Sequence, residues 1–316
     1  MIKKTALVIG ATGLLGYGIV REMLDAHYDV TGLVRGRNHT TPFPASVPLL
    51  HHDRTNEEDL RQGINNRRWD VIVDCAAYQP AEITTALKLF AKVTGHYFFI
   101  STDFVYAYDP AASYPTREGD AKVAVGTGVP GYALGKLQCE QLLIRAYEDD
   151  HAPLTIFRPP HILGAGKALG CDPVMGRTMS LLDYMKAGKA VPLLLEGKLL
   201  IQPIYSREVG RCIVHLAGNP RSWGQVFNLA GEECVTTSHY YRLIAKDLNI
   251  PLSISSVSLA QFLRDHPERS PFCRHRCYDQ SHLRTLTNYK HFYSLDEGII
   301  ETAEWMQREN AALARV

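Results

Sequence analysis

Three glycines, in the run Gly10-Ala-Thr-Gly13-Leu-Leu-Gly16, constrain this chain more than any other feature. They follow the short apolar stretch Thr5–Ile9 and precede Leu14–Ala26, where Leu15, Ile19, Val20 and Leu24 recur at helical spacing. A strand must therefore stop, turn and become a helix within a few residues. The first glycine permits the tight turn, the second lets backbone approach a pyrophosphate, and the third lets helix pack on strand. The helix start offers free N–H groups and a positive dipole end to phosphate. Thr12, Leu14 and Leu15 share this loop and helix start. With Gly10, Gly13 and Gly16 they form the candidate phosphate cradle.

Strand and helix patterns alternate beyond the loop. Asp29–Val34, Val47–His51, Trp69–Ala76, Tyr97–Ser101 and Leu154–Phe157 read as strands; Glu57–Ile64, Ala81–Thr94 and Tyr132–Tyr147 read as helices. Such alternation predicts βαβ units and an α/β, Rossmann-type doubly wound parallel sheet with a smaller C-terminal α+β lobe. The expected division puts a dinucleotide-binding domain at 1–165, with segments near 200–230 returning to it. Most of 166–316 then forms a substrate lobe. Pro110–Pro130 reads as a long loop. Helices are expected at Ser180–Gly188, Val209–Leu216, His239–Leu248, Leu259–Arg264 and Asp296–Glu309, and a strand at Gln225–Asn228.

An NAD site usually carries an acid at the end of the second strand, about 20 residues beyond the glycines, to bind the ribose 2′-hydroxyl. Here that strand ends Val34-Arg35-Gly36-Arg37, and Asp29 stands at its other end. A guanidinium suits a 2′-phosphate through paired charge-assisted hydrogen bonds, so NADP is favoured over NAD.

Tyr132-Ala-Leu-Gly-Lys136 puts a phenol and an ammonium at i and i+4, on one helix face. A phenol titrates near pH 10, and an adjacent positive charge favours its phenolate. Such a pair can move a proton at an alcohol or carbonyl oxygen while hydride moves at carbon. The strand ending Ser101-Thr102-Asp103-Phe104-Val105-Tyr106 supplies hydroxyls and an acid where parallel sheets bind ligands.

Taken in order, the glycine triplet, the Ser-Thr-Asp-x-Val-Tyr strand end and the Tyr-x-x-x-Lys helix resemble the extended short-chain dehydrogenase/reductase family, which includes nucleotide-sugar epimerases, dehydratases and reductases. Phe157-Arg158-Pro159-Pro160-His-Ile-Leu-Gly164-Ala-Gly166 and Gln202-Pro-Ile-Tyr205-Ser-Arg207-Glu208 are similar to later stretches of that family, with Glu208 replacing the usual Asp. So is Tyr278-Asp279-Gln-Ser281 with the ending through Trp305. The resemblance implies Tyr132 as general acid/base, Lys136 as its activator and ribose ligand, and Thr102 as the hydroxyl partner. It also implies Asp53 and Arg54 near adenine, and Ala76 and Ala77 beside the cofactor. Asp103 joins the candidate catalytic set. The implied substrate is a small molecule, a nucleotide sugar, and a homodimer is left open. Dehydratases of the family carry Glu where this chain has Phe104, so 4-keto reduction or epimerisation is expected instead of dehydration. The fourth-strand ending Asp74-Cys75-Ala76-Ala77 lacks the family's usual Asn, which marks a divergent branch.

With 34 Lys+Arg against 33 Asp+Glu, the net charge of +1 gives no footprint for DNA or an anionic membrane. No apolar run reaches the roughly 18 residues of a membrane span, and the apolar run behind Met1 is too short for a signal peptide. A cytoplasmic protein with seven reduced cysteines is expected. Cys273-Arg-His275-Arg-Cys277 lacks the second ligand pair of a zinc site, so no metal is expected. Arg269, Arg274, Arg276 and Arg284 are candidates to grip a substrate diphosphate. The alternative reading is a non-catalytic dinucleotide sensor or RNA-associated protein.

Overall fold

The structure is a computed structural model. It describes residues 3–36, 43–64, 67–90, 92–107, 114–123 and 131–313. Arg37 and parts of the 110–130 loop lie outside the described residues.

Seven strands form one parallel sheet: β1 (Thr5–Ile9), β2 (Asp29–Val34), β3 (Leu49–His51), β4 (Val71–Asp74), β5 (Tyr97–Ile100), β6 (Leu154–Arg158) and β7 (Gln225–Asn228). Their order is β7-β6-β5-β4-β1-β2-β3. The order reverses at β1, so a crevice opens beyond the carboxyl ends of β1 and β4. The central strands read as unbroken apolar runs because both faces are covered. Ala6 and Val8 face one core with Ile19, Met23, Phe98 and Phe227. Leu7 and Ile9 face the other, with Ile72, Phe90, Phe99 and Leu143. This is the two-residue period of a strand.

The helices are α1 (Leu14–Asp25), α2 (Glu57–Ile64), α3 (Pro80–Phe90), α4 (Gly131–Asp150), α5 (Leu181–Lys186), α6 (Ser206–Leu216), α7 (Thr237–Asp247), α8 (Leu259–Asp265), α9 (Ser281–Thr287) and α10 (Leu295–Leu313). Helices α1 and α6 pack closely: a Cβ on Gly18 would stand 2.4 Å from the Ser206 hydroxyl oxygen. A third core, with Leu181, Met185, Tyr240, Tyr241, Ile244 and Met306, belongs to the C-terminal segments. Three short strand pairs support these segments: Val191–Leu194 with Ile254–Val257, Leu200–Ile201 with Val235–Thr236, and Ile162–Leu163 with Ile204–Tyr205.

Most expected elements stand within a few residues of their predicted bounds. The fourth strand is shorter than Trp69–Ala76 because Asp74 ends it: its Oδ1 accepts the N–H groups of Ala76 and Ala77, each at 3.0 Å. The cysteines need a correction. Cys234 and Cys277 form a disulfide, whereas the other five are free thiols. The two lie 43 residues apart in sequence, and the fold brings their Cα atoms to 6.1 Å, within disulfide reach. Among the described residues, no helix is long and apolar enough to cross a membrane.

Candidate active site

Two hollows meet at the carboxyl edge of the sheet. The first, about 270 Å³, lies over the glycine turn and is lined by Thr12, Leu14, Leu15, Arg35, Arg54 and Ala76, among others. The second, about 650 Å³, opens between the end of β5 and the C-terminal segments. Ser101, Thr102, Tyr132, His161 and Arg177 are on its wall. Leu14 and Tyr78 line both.

The glycine turn is built as its spacing requires. Gly10 has φ +83°, which disfavours any residue with a Cβ. A Cβ on Gly16 would fall 2.2 Å from the Gly10 carbonyl oxygen, so helix and turn touch there. A Cβ on Gly13 would meet nothing nearer than 3.6 Å, which leaves that face of the backbone open. No side chain caps α1 and no acid stands in its first turn, so its first N–H groups stay available to an anion. Arg54 is buried beside the same hollow. It pairs with Asp74 at 2.8 Å and donates to the Glu82 carbonyl, yet its Nε has no partner. The cradle and this orphaned donor fit a dinucleotide.

Two residues expected at the cofactor stand elsewhere. Ala77 is fully buried in the core with Ile83 and Phe99, and the hollow is lined by Ala76 beside it. Asp53 turns its carboxylate to the start of α2, where Oδ1 accepts the Thr55 N–H at 2.9 Å and hydroxyl at 2.7 Å. Arg35 lies exposed on the hollow at the end of β2.

At the second hollow, Thr102 ends the extended chain of β5. Its Oγ1 accepts the Phe104 N–H and so caps the turn Asp103–Val105. Tyr132, in the first turn of α4, is 44% exposed and its ring lies 6.0 Å from that of Tyr78. Burial of its hydroxyl pushes the phenol up to about 12, and a hydrogen bond with Thr102 opposes that rise. The lowering expected from Lys136 is not found: burial, Thr102, Tyr78 and Asp103 set the phenol's position. Lys136 is buried and donates to the Ile100 carbonyl at 2.6 Å, with the rings of Tyr78 and Phe99 each 4.7 Å from its Nζ. Burial pushes its ammonium down to about 8, against the pull of Asp74. Ser101, beside Thr102, has a buried hydroxyl with no partner.

Asp103 lines the larger hollow, and its Oδ1 accepts from the Thr102 hydroxyl at 3.4 Å. Its Oδ2 accepts from Arg276 Nε at 2.8 Å and from the Tyr278 hydroxyl at 2.5 Å, and all three side chains are buried. It fastens the end of β5 to the segment before α9. That segment also spends the groups that suggested metal or diphosphate. Cys277 is in the disulfide, His275 Nδ1 accepts the Leu200 N–H, and Arg274 donates to the Ala107 carbonyl. Glu208 likewise serves the fold: it accepts the N–H groups of Phe292 and Tyr293.

Sequence reasoning missed Arg177 and His161. Neither belongs to a periodic element, and their neighbourhood arises only from the turn after β6. Arg177 Nη2 donates to the Ile162 carbonyl and to His161 Nδ1.

A seven-stranded parallel sheet with an uncapped glycine turn at its switch point defines a Rossmann-type nucleotide-binding protein. Residues 6–230 match the model of the NAD dependent epimerase/dehydratase family, and the chain belongs to that family. It is 23% identical to 2′-dehydrokanamycin reductase of Streptomyces kanamyceticus over 79% of this chain and 68% of that protein. It is also 23% identical to the chloroplast stem-loop binding protein of 41 kDa b of Arabidopsis thaliana, over 79% of this chain and 64% of that one. Among solved structures, UDP-glucose 4-epimerase of Thermotoga maritima with UDP-glucose superposes with a TM-score of 0.76 at 16% identity, covering 97% and 99% of the two chains. The dTDP-glucose 4,6-dehydratase of Bacillus anthracis in complex with NAD gives 0.75 at 18% identity, covering 98% of each. These likenesses are to the fold.

Proposed function

We propose that the protein is an NAD(P)-dependent oxidoreductase or epimerase that moves hydride at a sugar hydroxyl or keto carbon, with a nucleotide sugar as substrate. The observation that carries this reading is the Thr102–Tyr132 hydroxyl pair on the wall of the larger hollow, beside Tyr78, which lines both hollows. Gly10, Thr12, Gly13, Leu14, Leu15 and Gly16 would hold the pyrophosphate, with Arg54 and Ala76 further along the cofactor. Arg35, with no acid at the end of β2, favours NADP. When bound, the nicotinamide supplies or accepts the hydride.

Tyr132 is protonated at neutral pH, with its phenol near 12. It is therefore set to give a proton to a carbonyl oxygen as negative charge develops there. Thr102 donates a second hydrogen bond to that oxygen and so holds the substrate in register. Lys136, fixed under the sheet edge, stabilises the phenolate left behind and would meet the nicotinamide ribose. Asp103 positions Thr102 through its anchor on Arg276. Phe104, 5.0 Å from Phe272 ring to ring, stands beside Asp103 where the resemblance puts the Glu of a dehydratase, so reduction or epimerisation is favoured over dehydration. The first 165 residues, joined by the β7 region, would hold cofactor, and 166–316 would shape the substrate pocket.

The test is Tyr132→Phe assayed with cofactor and a panel of 4-keto and 4-hydroxy nucleotide sugars. Turnover at the wild-type rate would overturn the assignment. Mass analysis of the nucleotide retained through gentle purification separates the two reactions. Retained NAD favours epimerisation, and an empty site that takes up NADPH favours reduction.

A further inference from the structure

Among the described residues, the buried arginines each carry a carboxylate partner: Arg54 pairs with Asp74, Arg158 with Glu140, and Arg276 with Asp103. Arg177, half-buried on the wall of the larger hollow, is different. Among the described residues it meets only neutral acceptors, the Ile162 carbonyl and His161 Nδ1. Burial lowers its pKa, and nearby Arg276 adds to that lowering. A cation withdrawn from water without a counter-charge is costly unless something else supplies one.

The surroundings point the same way. His161 Nδ1 accepts from Arg177, so its proton sits on Nε2, and that buried Nε2 has no partner. Burial, and then Arg177 and Arg276, hold this imidazole neutral. Lys167 and Arg269 stand exposed on the same wall. The two acids there are both engaged: Asp103 is held by Arg276, and Asp172 accepts the N–H groups of Val174 and Leu194. The hollow thus offers positive charge beside the Thr102–Tyr132 pair and no free carboxylate among the described residues to balance it.

We infer that Arg177 is the specificity-determining residue of an oxyanion subsite in the larger hollow, and that the substrate carries a phosphate or carboxylate which completes Arg177's ion pair. This rests on the proposed function for its location, and it moves the anion contact away from Arg274 and Arg276, which the fold already uses. Arg can grip such a group through two parallel N–H donors.

The experiment is calorimetric titration of the full chain with inorganic pyrophosphate, with glucuronate and with neutral methyl glucoside, each with and without saturating NADPH. Wild type is expected to bind pyrophosphate or glucuronate, whichever supplies the oxyanion, and not methyl glucoside. Arg177→Gln is expected to weaken that anion about 10- to 100-fold, with NADPH affinity unchanged. Arg177→Lys, a point charge without the paired donors, should recover part of the loss. Equal anion affinity in wild type and Arg177→Gln would overturn the subsite, as would anion binding that NADPH displaces, which belongs to the glycine hollow. If wild type neither retains NAD nor binds NADPH, the proposed function fails, while the comparison of anion affinities between wild type and Arg177→Gln still decides on Arg177. Arg177→Lys also serves as the folding control, since it keeps the charge at this position.

Discussion

Asp103→Asn separates two readings of the residue beside Thr102. A catalytic acid would lose turnover and leave the fold intact. The structure gives Asp103 an anchoring role instead. It is 1% exposed and receives Arg276 at 2.8 Å and the Tyr278 hydroxyl at 2.5 Å. Neutralising it leaves the buried Arg276 guanidinium without its counter-charge, and breaking such a pair costs about 3–5 kcal/mol. The amide can keep one hydrogen bond, which places the expected loss near the low end. Thermal unfolding should move down by roughly 5 °C. The double variant Asp103→Leu with Arg276→Met removes both charges and should recover much of the loss, because the pair's desolvation cost disappears with it. Unfolding of Asp103→Asn within about 1 kcal/mol of wild type would refute the anchoring role.

Other expectations follow from the same geometry. Gly16→Ala should abolish dinucleotide binding in a fluorescence titration, since its methyl would lie 2.2 Å from the Gly10 carbonyl oxygen. The rate at saturating substrate should fall above about pH 8, where the buried Lys136 loses its proton, and Lys136→Met should remove that limb while lowering the rate throughout. His96 is fully buried and held down to about 3 by burial, against about 6.5 when unfolded, so the unfolded chain binds the extra proton. Its contribution is therefore complete above about pH 6.5 and is lost as pH falls toward 3, by at most about 1.4 kcal/mol per pH unit. Denaturant titrations of wild type and His96→Gln across that window should show the variant with the flatter dependence. Reducing the Cys234–Cys277 bond opens a loop of 43 residues, worth about 4 kcal/mol on a chain-entropy account, and should lower the unfolding midpoint.

The sheet was legible because its strands are buried on both sides. Ala6–Ile9, Val71–Asp74 and Tyr97–Ile100 are short apolar runs bounded by turn residues, and that composition suits little else. The glycine turn was legible for a steric reason, since each glycine meets a neighbour or an open face that a side chain would spoil. The candidate catalytic residues were legible through local spacing, Tyr132 and Lys136 one helical turn apart. What spacing cannot encode is partnership across the fold. Asp103 meets Arg276 over 173 residues of sequence, and Cys234 meets Cys277 only after two irregular segments converge. Arg177 stands in a stretch without periodicity, and its significance is a missing neighbour. The two-residue strands, such as Ile162–Leu163, are too short to leave a pattern.

The Asp103 anchor has a mechanical consequence. It joins the end of β5, where substrate would be worked on, to residues 276 and 278, which flank a covalent bridge to Cys234. Pulling these segments apart would strand a bare carboxylate and a bare guanidinium in a dry interior. The molecule therefore has a fixed tie within one wall of its larger hollow.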